Sequence, residues 1–155
     1  VKQQMTQKSK FEDEWTSVLK FPIRWIELDA NGHVNNCRYL EYFQEIRIVY
    51  LGDAEVLGRE RFVVAHNSCD YIKPLHYPDT VVVKTKVTVL GDSSVTMIYE
   101  AWSENEKYLA ATGVCRYVCI DPATNKKKPL SQEAIECFEK YEKRKLPRAT
   151  QQAKL

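Results

Sequence analysis

Between Asn36 and Gly52 the chain reads NCRYLEYFQEIRIVYLG, and its apolar residues do not settle on one face. Leu40, Phe43, Ile46 with Arg47, and Tyr50 follow helical spacing, while Tyr39, Tyr42, Ile48 and Val49 fill other sides. A helix apolar on most faces is buried rather than laid on a surface. It must be covered on several sides, and the rest of the chain offers mainly strands to cover it.

Those strands announce themselves by two-residue alternation. VLKFPIRWIEL places Leu19, Phe21, Ile23 and Trp25 on one face, and Pro22, having no N–H to donate, puts this strand at a sheet edge or gives it an irregular start. Four further runs follow the helix: RFVVAHNSCDYI, TVVVKTKVTVL, SVTMIYEAW and YLAATGVCRYVCI. In the second, Val81, Val83, Val87 and Val89 oppose Lys84, Lys86 and Thr88; in the third, Val95, Met97, Tyr99 and Ala101 share a side. Short polar turns, GDS and SENEK, join them as antiparallel hairpins. One face of the last strand carries Leu109, Ala111, Gly113, Cys115, Tyr117 and Cys119, small enough in several places for a helix to lie close. Gly52 is expected to stop the long helix, and Ser131 to cap a final amphipathic helix that buries Ile135 and Phe138.

The order is strand, buried helix, four antiparallel strands, surface helix. It predicts an α+β domain in which a five-stranded antiparallel sheet wraps around one long central helix, the hotdog arrangement, with a C-terminal surface helix. One such domain spans 17–145, between a polar lead-in (1–16) and a polar tail (146–155). The open sheet edges predict a homodimer or homotetramer that pairs edge strands or abuts helices.

Composition narrows the function classes. Lys+Arg 23 against Asp+Glu 21 leaves a net charge of +2, mixed along the chain, which is no footprint for nucleic acid. No apolar run approaches the roughly 20 residues of a membrane span, and the lead-in has no hydrophobic targeting core. The five cysteines, at 37, 69, 115, 119 and 137, form no C-x-x-C pair and no zinc spacing, so they are read as reduced thiols of a cytoplasmic protein without a metal site.

The densest polar cluster is ELDANGHVNNCRYLEYF, residues 27–43, where the first strand passes into the helix. A helix N-terminus has unpaired N–H groups and partial positive charge, suited to a developing oxyanion. The Asn36 N–H is the leading donor. Asp29, ionised at neutral pH, is placed to act as nucleophile or as general base toward water. Capping and turn formation are the competing explanation for any Asp/Asn cluster before a helix.

LDANGHVNNCRYLEYF, together with DYIKPLHYPDTVVV further on, closely resembles the acyl thioesterases of the 4-hydroxybenzoyl-CoA thioesterase family; the likeness runs from about residue 21 to about 130. D-x-N-x-H-V-N-N is also similar to the junction motif of plant acyl-carrier-protein thioesterases. The resemblance implies hydrolysis of an acyl-CoA or acyl-carrier-protein thioester, with no cofactor beyond the coenzyme A of the substrate. It makes Asn31 a water- or carboxylate-orienting amide and His33 a second polar contributor, beside Asp29 and Asn36. Pro74 stands where the plant enzymes carry a glutamate, so their four-residue network is incomplete here.

Other candidates have weaker patterns. Lys126–Lys127–Lys128, Arg59, Arg61 and Lys73 are either phosphate contacts or solvated surface; His66 and His76 read as structural; Tyr39, Tyr42 and Phe43 read as core. Two rival functions remain open. A hotdog hydratase or dehydratase would carry D-x-N-P-x-H, one residue longer than the Asp29–His33 spacing, and Gly32 stands where proline is expected. A non-catalytic acyl-CoA-binding domain would have no use for Asp29.

Overall fold

The computed structural model describes residues 15–149; the rest of the lead-in and tail lies outside the described residues. Strand β1 (Ser17–Pro22) precedes helix α1 (Asn36–Asp53). Strands β2 (Arg61–Tyr71), β3 (Thr80–Leu90), β4 (Ser94–Ser103) and β5 (Leu109–Ile120) follow, and helix α2 (Gln132–Glu142) closes the order. The strands form one antiparallel sheet in the order β1-β3-β4-β5-β2. A five-stranded antiparallel sheet with two helices is consistent with the hotdog arrangement, and β1 lies at an edge, one of the two placements Pro22 allowed.

The alternation in β3 and β4 is that of a half-buried sheet. Val81, Val83, Val87, Val95, Met97, Tyr99 and Ala101 all face the core. On α1, Tyr39, Tyr42, Phe43, Ile46, Tyr50 and Leu51 join the same core. Gly113 on β5 explains how closely the two approach: a Cβ there would come within 2.5 Å of the Phe43 ring. That ring stacks on Tyr99, with centroids 4.8 Å apart.

Several local expectations are corrected. The first strand ends at Pro22, with Ile23 N–H still donating in register to Asp79 O (2.9 Å); residues 25–27 then form a 3-10 turn and Trp25 is 72% exposed. Helix α1 is not apolar on all working faces: Ile48 (46%) and Val49 (39%) are exposed beside Gln44 and Glu45. Gly52 lies within α1, and the reversal after it falls on Glu55, at φ 58. In β3 a bulge between Val87 and Val89 shifts the register, so Leu90 takes the buried place that strict alternation assigned to Val89. Within the stretch read as a tail, Leu146 is buried, and Leu90 exchanges hydrogen bonds with Pro147 O and Ala149 N–H.

Helix α2 is capped as its sequence required, Ala134 N–H donating to Ser131 Oγ at 3.1 Å, and Phe138 is fully buried. Two buried acids attach it to the sheet. Glu142, at the last turn, accepts from Tyr50 OH (2.6 Å), Val87 N–H (2.7 Å) and Thr16 OH (2.7 Å). Glu60, just before β2, accepts from Ser131 N–H (3.1 Å) and Cys119 Sγ (3.3 Å) and pairs with Lys128 Nζ (2.7 Å). Lys128 thus has a carboxylate partner within the chain.

Burial alone pushes the Glu60 carboxyl up, but Lys128, Ser131 and Cys119 outweigh it and hold its pKa at about 2, against an ordinary 4.5. A folded value below the unfolded one stabilises the protein above pH 4.5, and that stabilisation drains away as pH falls toward 2. Glu60→Gln should therefore unfold at lower urea than the parent at pH 7. The difference should narrow steadily below pH 4.5, read from urea midpoints at several pH values.

Candidate active site

The cluster at residues 27–36 folds as a tight hairpin seated on the helix. Leu28 and Val34 form an antiparallel bridge, Asp29 N–H donates to His33 O (2.7 Å), and Asn35 N–H donates to Glu27 O (2.8 Å). Gly32 takes φ +75, the conformation that its missing Cβ permits at the turn. Val34 N–H donates to Leu75 O (2.9 Å), tying the hairpin to the segment after β2.

Asp29 is fixed by its own turn. Its Oδ1 accepts from Asn31 N–H (2.8 Å) and His33 N–H (3.2 Å). The Asn31 bond first, then the His33 bond, hold the carboxyl below its ordinary value in spite of some desolvation, so it is ionised at neutral pH. Its Oδ2 is used by neither backbone bond. The turn-forming role weighed against catalysis is therefore present, and it leaves one carboxylate oxygen outside those bonds.

The helix start is equally defined. Asn35 is the N-cap, its Oδ1 accepting from Cys37 N–H (3.0 Å), and Arg38 N–H donates to Asn35 O (2.9 Å). The Asn36 N–H has no hydrogen-bond partner among the described residues, as is usual for a first-turn donor. Asn36 O accepts from Tyr71 OH on β2 (3.0 Å), and the residue is exposed. One donor of the helix tip, on an exposed residue, is therefore left without a partner among the described residues.

Asn31 and His33 meet Asp29 chiefly through their backbone N–H groups, with smaller contributions from the His33 ring and the Asn31 side chain. The Asn31 residue is exposed, and the His33 ring lies edge-on to His76, with centroids 4.9 Å apart. The sequence pattern missed two residues that hold this site. Glu27 is buried and accepts from Arg24 N–H (2.8 Å), the Arg24 guanidinium and Tyr42 OH (2.9 Å), so its carboxylate is occupied in fastening the hairpin to α1. Tyr71 joins β2 to the helix start. Tyr71 stands inside a motif that carries the family likeness and Glu27 immediately before one, but nothing local marks Tyr71's partner on the helix. A cavity of about 700 Å³ lies elsewhere, between Trp15, Lys86 and the end of α2, and none of the predicted site residues lines it. Among the described residues no cluster of His, Cys, Asp or Glu is arranged to hold a metal.

The family described as the thioesterase-like superfamily matches residues 23–138, from the end of β1 to the middle of α2. The chain belongs to that superfamily. The long-chain acyl-CoA thioesterase FadM of Escherichia coli K12 is 29% identical over 126 residues, which cover 78% of this chain and 96% of FadM. The uncharacterised YsmA of Bacillus subtilis is 30% identical over 93 residues, covering 56% of this chain and 63% of YsmA. A thioesterase from Thermus thermophilus, crystallised with coenzyme A and Zn, superposes with a TM-score of 0.79 at 29% identity, covering 86% of this chain and 99% of that one. The superfamily match spans the Asp29 hairpin, the Asn36 helix start and the core that carries them.

Proposed function

We propose that this protein hydrolyses acyl-CoA thioesters. The observation that carries the reading is the unpartnered Asn36 N–H at the tip of an 18-residue helix, beside a hairpin that holds Asp29 ionised. A thioester carbonyl accepting from Asn36 N–H is polarised, and the negative charge that develops on its oxygen is stabilised there. Asp29 then attacks the carbonyl carbon, forming an anhydride that water cleaves, or takes a proton from the attacking water. Either way the C–S bond breaks, coenzyme A leaves as its thiol, and the acid is released. Asn31 and His33 assist by holding the Asp29 carboxylate, and no metal or further cofactor enters the steps.

Names among the relatives, FadM in particular, support an acyl-CoA substrate, and an acyl-carrier-protein thioester presents the same reacting bond. In this reading the sheet wraps α1 as its central helix and the protein works in the cytoplasm as a homodimer or homotetramer. The long, largely exposed edge strand β2 offers unpaired backbone groups to a second copy.

The test is thiol release across short, long, branched and aromatic acyl-CoAs. Multiple turnover with stoichiometric free acid is expected. Stoichiometric binding without thiol release, or a change in enoyl absorbance without it, refutes the hydrolase.

A further inference from the structure

Three ties run from one short stretch, residues 71–75, to the two halves of the site. At the end of β2, Tyr71 OH donates to Asn36 O (3.0 Å) at the start of α1. Further on, Leu75 N–H donates to Tyr39 OH (3.3 Å) in the first turn of that helix. Leu75 O accepts from Val34 N–H (2.9 Å) of the Asp29 hairpin. The Tyr39 and Tyr71 rings meet edge to face, with centroids 5.2 Å apart. The stretch is itself anchored. Tyr71 pairs with Ala111 of β5, Ile72 and Lys73 N–H both donate to Ala110 O (2.8 and 3.1 Å), Pro74 O accepts from Tyr108 OH, and Leu75 is fully buried.

The Asn36 N–H needs such a support. The first N–H groups of a helix lack intrahelical acceptors and helix ends fray, so α1 by itself fixes this donor weakly. Asn36 is exposed, and packing does not hold it instead. On its N-terminal side the residue is held by Asn35 N–H, which donates to Glu27 O (2.8 Å). On its C-terminal side Asn36 O is held by Tyr71. The Asn36 side-chain amide and the Cys69 thiol interact with the same hydroxyl. Burial first, then Cys69, keep the Tyr71 phenol above its ordinary range, so it stays protonated and able to donate.

We propose that Tyr71 is a positioning residue: its hydroxyl aims the Asn36 N–H at the thioester carbonyl, while the stretch that follows it holds the Asp29 hairpin, so donor and carboxylate keep a fixed relation. This rests on the thioester-hydrolase reading above. Tyr71 acts through residue 36 rather than on the reacting atoms. An error of about 1 Å in such a group is enough to cost about a hundredfold in rate.

Tyr71→Phe keeps the ring against Tyr39 and removes only the hydroxyl. It should lower kcat for the fastest acyl-CoA by roughly 5- to 50-fold, with KM within about twofold, in a protein that urea midpoints show to be folded. Asn36→Pro supplies the critical background. Proline suits the first helical position, and Asn35, at φ −56 and ψ 137, already has the extended backbone that precedes proline. This variant deletes the N–H and should lose about 10²–10³-fold in kcat. There Tyr71→Phe should add less than about twofold, whereas in Asn36→Ala, which keeps the N–H, it should retain its full effect. A phenylalanine variant as fast as the parent, or a loss that persists in the proline background, overturns the proposal. The ketone analogue of dodecanoyl-CoA, with CH2 in place of the thioester sulfur, separates positioning from turnover. Its carbonyl should shift the Asn36 amide resonance in NMR spectra, and Tyr71→Phe should reduce that shift at saturation. A Tyr71-dependent shift in a parent that releases no thiol upholds the inference and sinks the hydrolase. A shift indifferent to Tyr71, or none, sinks the inference whatever the turnover.

Discussion

Asp29→Asn should release thiol from acyl-CoA at least about a hundredfold more slowly than the parent. The substitution isolates chemistry from folding because an amide oxygen can still accept the Asn31 and His33 N–H bonds that Oδ1 accepts now. What is lost is the negative charge. The loss should fall on kcat, since the carboxylate acts on the reacting carbon or its water rather than on substrate affinity. Because hydrogen bonding holds the carboxyl below its ordinary 3.8, the parent should keep its activity down to that pH, with the acid limb of the profile lying lower still. The measurements are kcat, KM and their pH dependence by thiol release, with circular dichroism showing an unchanged fold. An asparagine variant as fast as the parent leaves the turn-forming role of Asp29 as its whole purpose.

Glu142→Ala should lose roughly 2–5 kcal/mol of stability, because buried donors that lose their acceptor keep their desolvation cost. Oε1 takes both Tyr50 OH from α1 and Val87 N–H from β3, and Oε2 takes Thr16 OH. The Val87 bond falls beside the β3 bulge, where the ladder with β4 shifts register, so this carboxylate completes the backbone satisfaction of a buried strand. Alanine leaves that N–H and the Tyr50 hydroxyl unpaired. Glu142→Gln, retaining an amide oxygen, should lose less. Urea unfolding with an unchanged m-value measures both, and a shift within about 0.5 kcal/mol for alanine, the range of ordinary surface substitutions, would show that water replaces the carboxylate. Thiol release should be unaffected wherever the variant is folded, since Glu142 lies on α2 and Asp29 on the hairpin before α1.

Elements with an unbroken local period were legible. Val81–Val87 and Val95–Ala101 alternate because one face of the sheet is buried, and that rule needs no knowledge of partners. The Ser131 cap and the Asn35–Asn36 helix start were legible for a similar reason, since a cap is satisfied within its own turn. The shortness of Gly113 was readable as room for a helix, but that Phe43 fills it was not. Trp25 illustrates the opposite failure: it continues the alternation of β1, yet the backbone turns into a 3-10 turn at Trp25–Glu27, and the period outlasts the strand.

The sequence by itself determined the five strands, the two helices and the polar connection between β1 and α1, because each depends on neighbours a few residues away. Only the tertiary structure decided what the buried charges meet. Glu142 finds Val87 at a separation of 55 residues and Tyr50 at 92, Glu60 finds Ser131 at 71, and Arg47 meets Cys115 at 68 and no carboxylate among the described residues. A charge excluded from water is governed by whichever group the fold brings within about 3 Å, and no periodicity along the chain encodes that encounter.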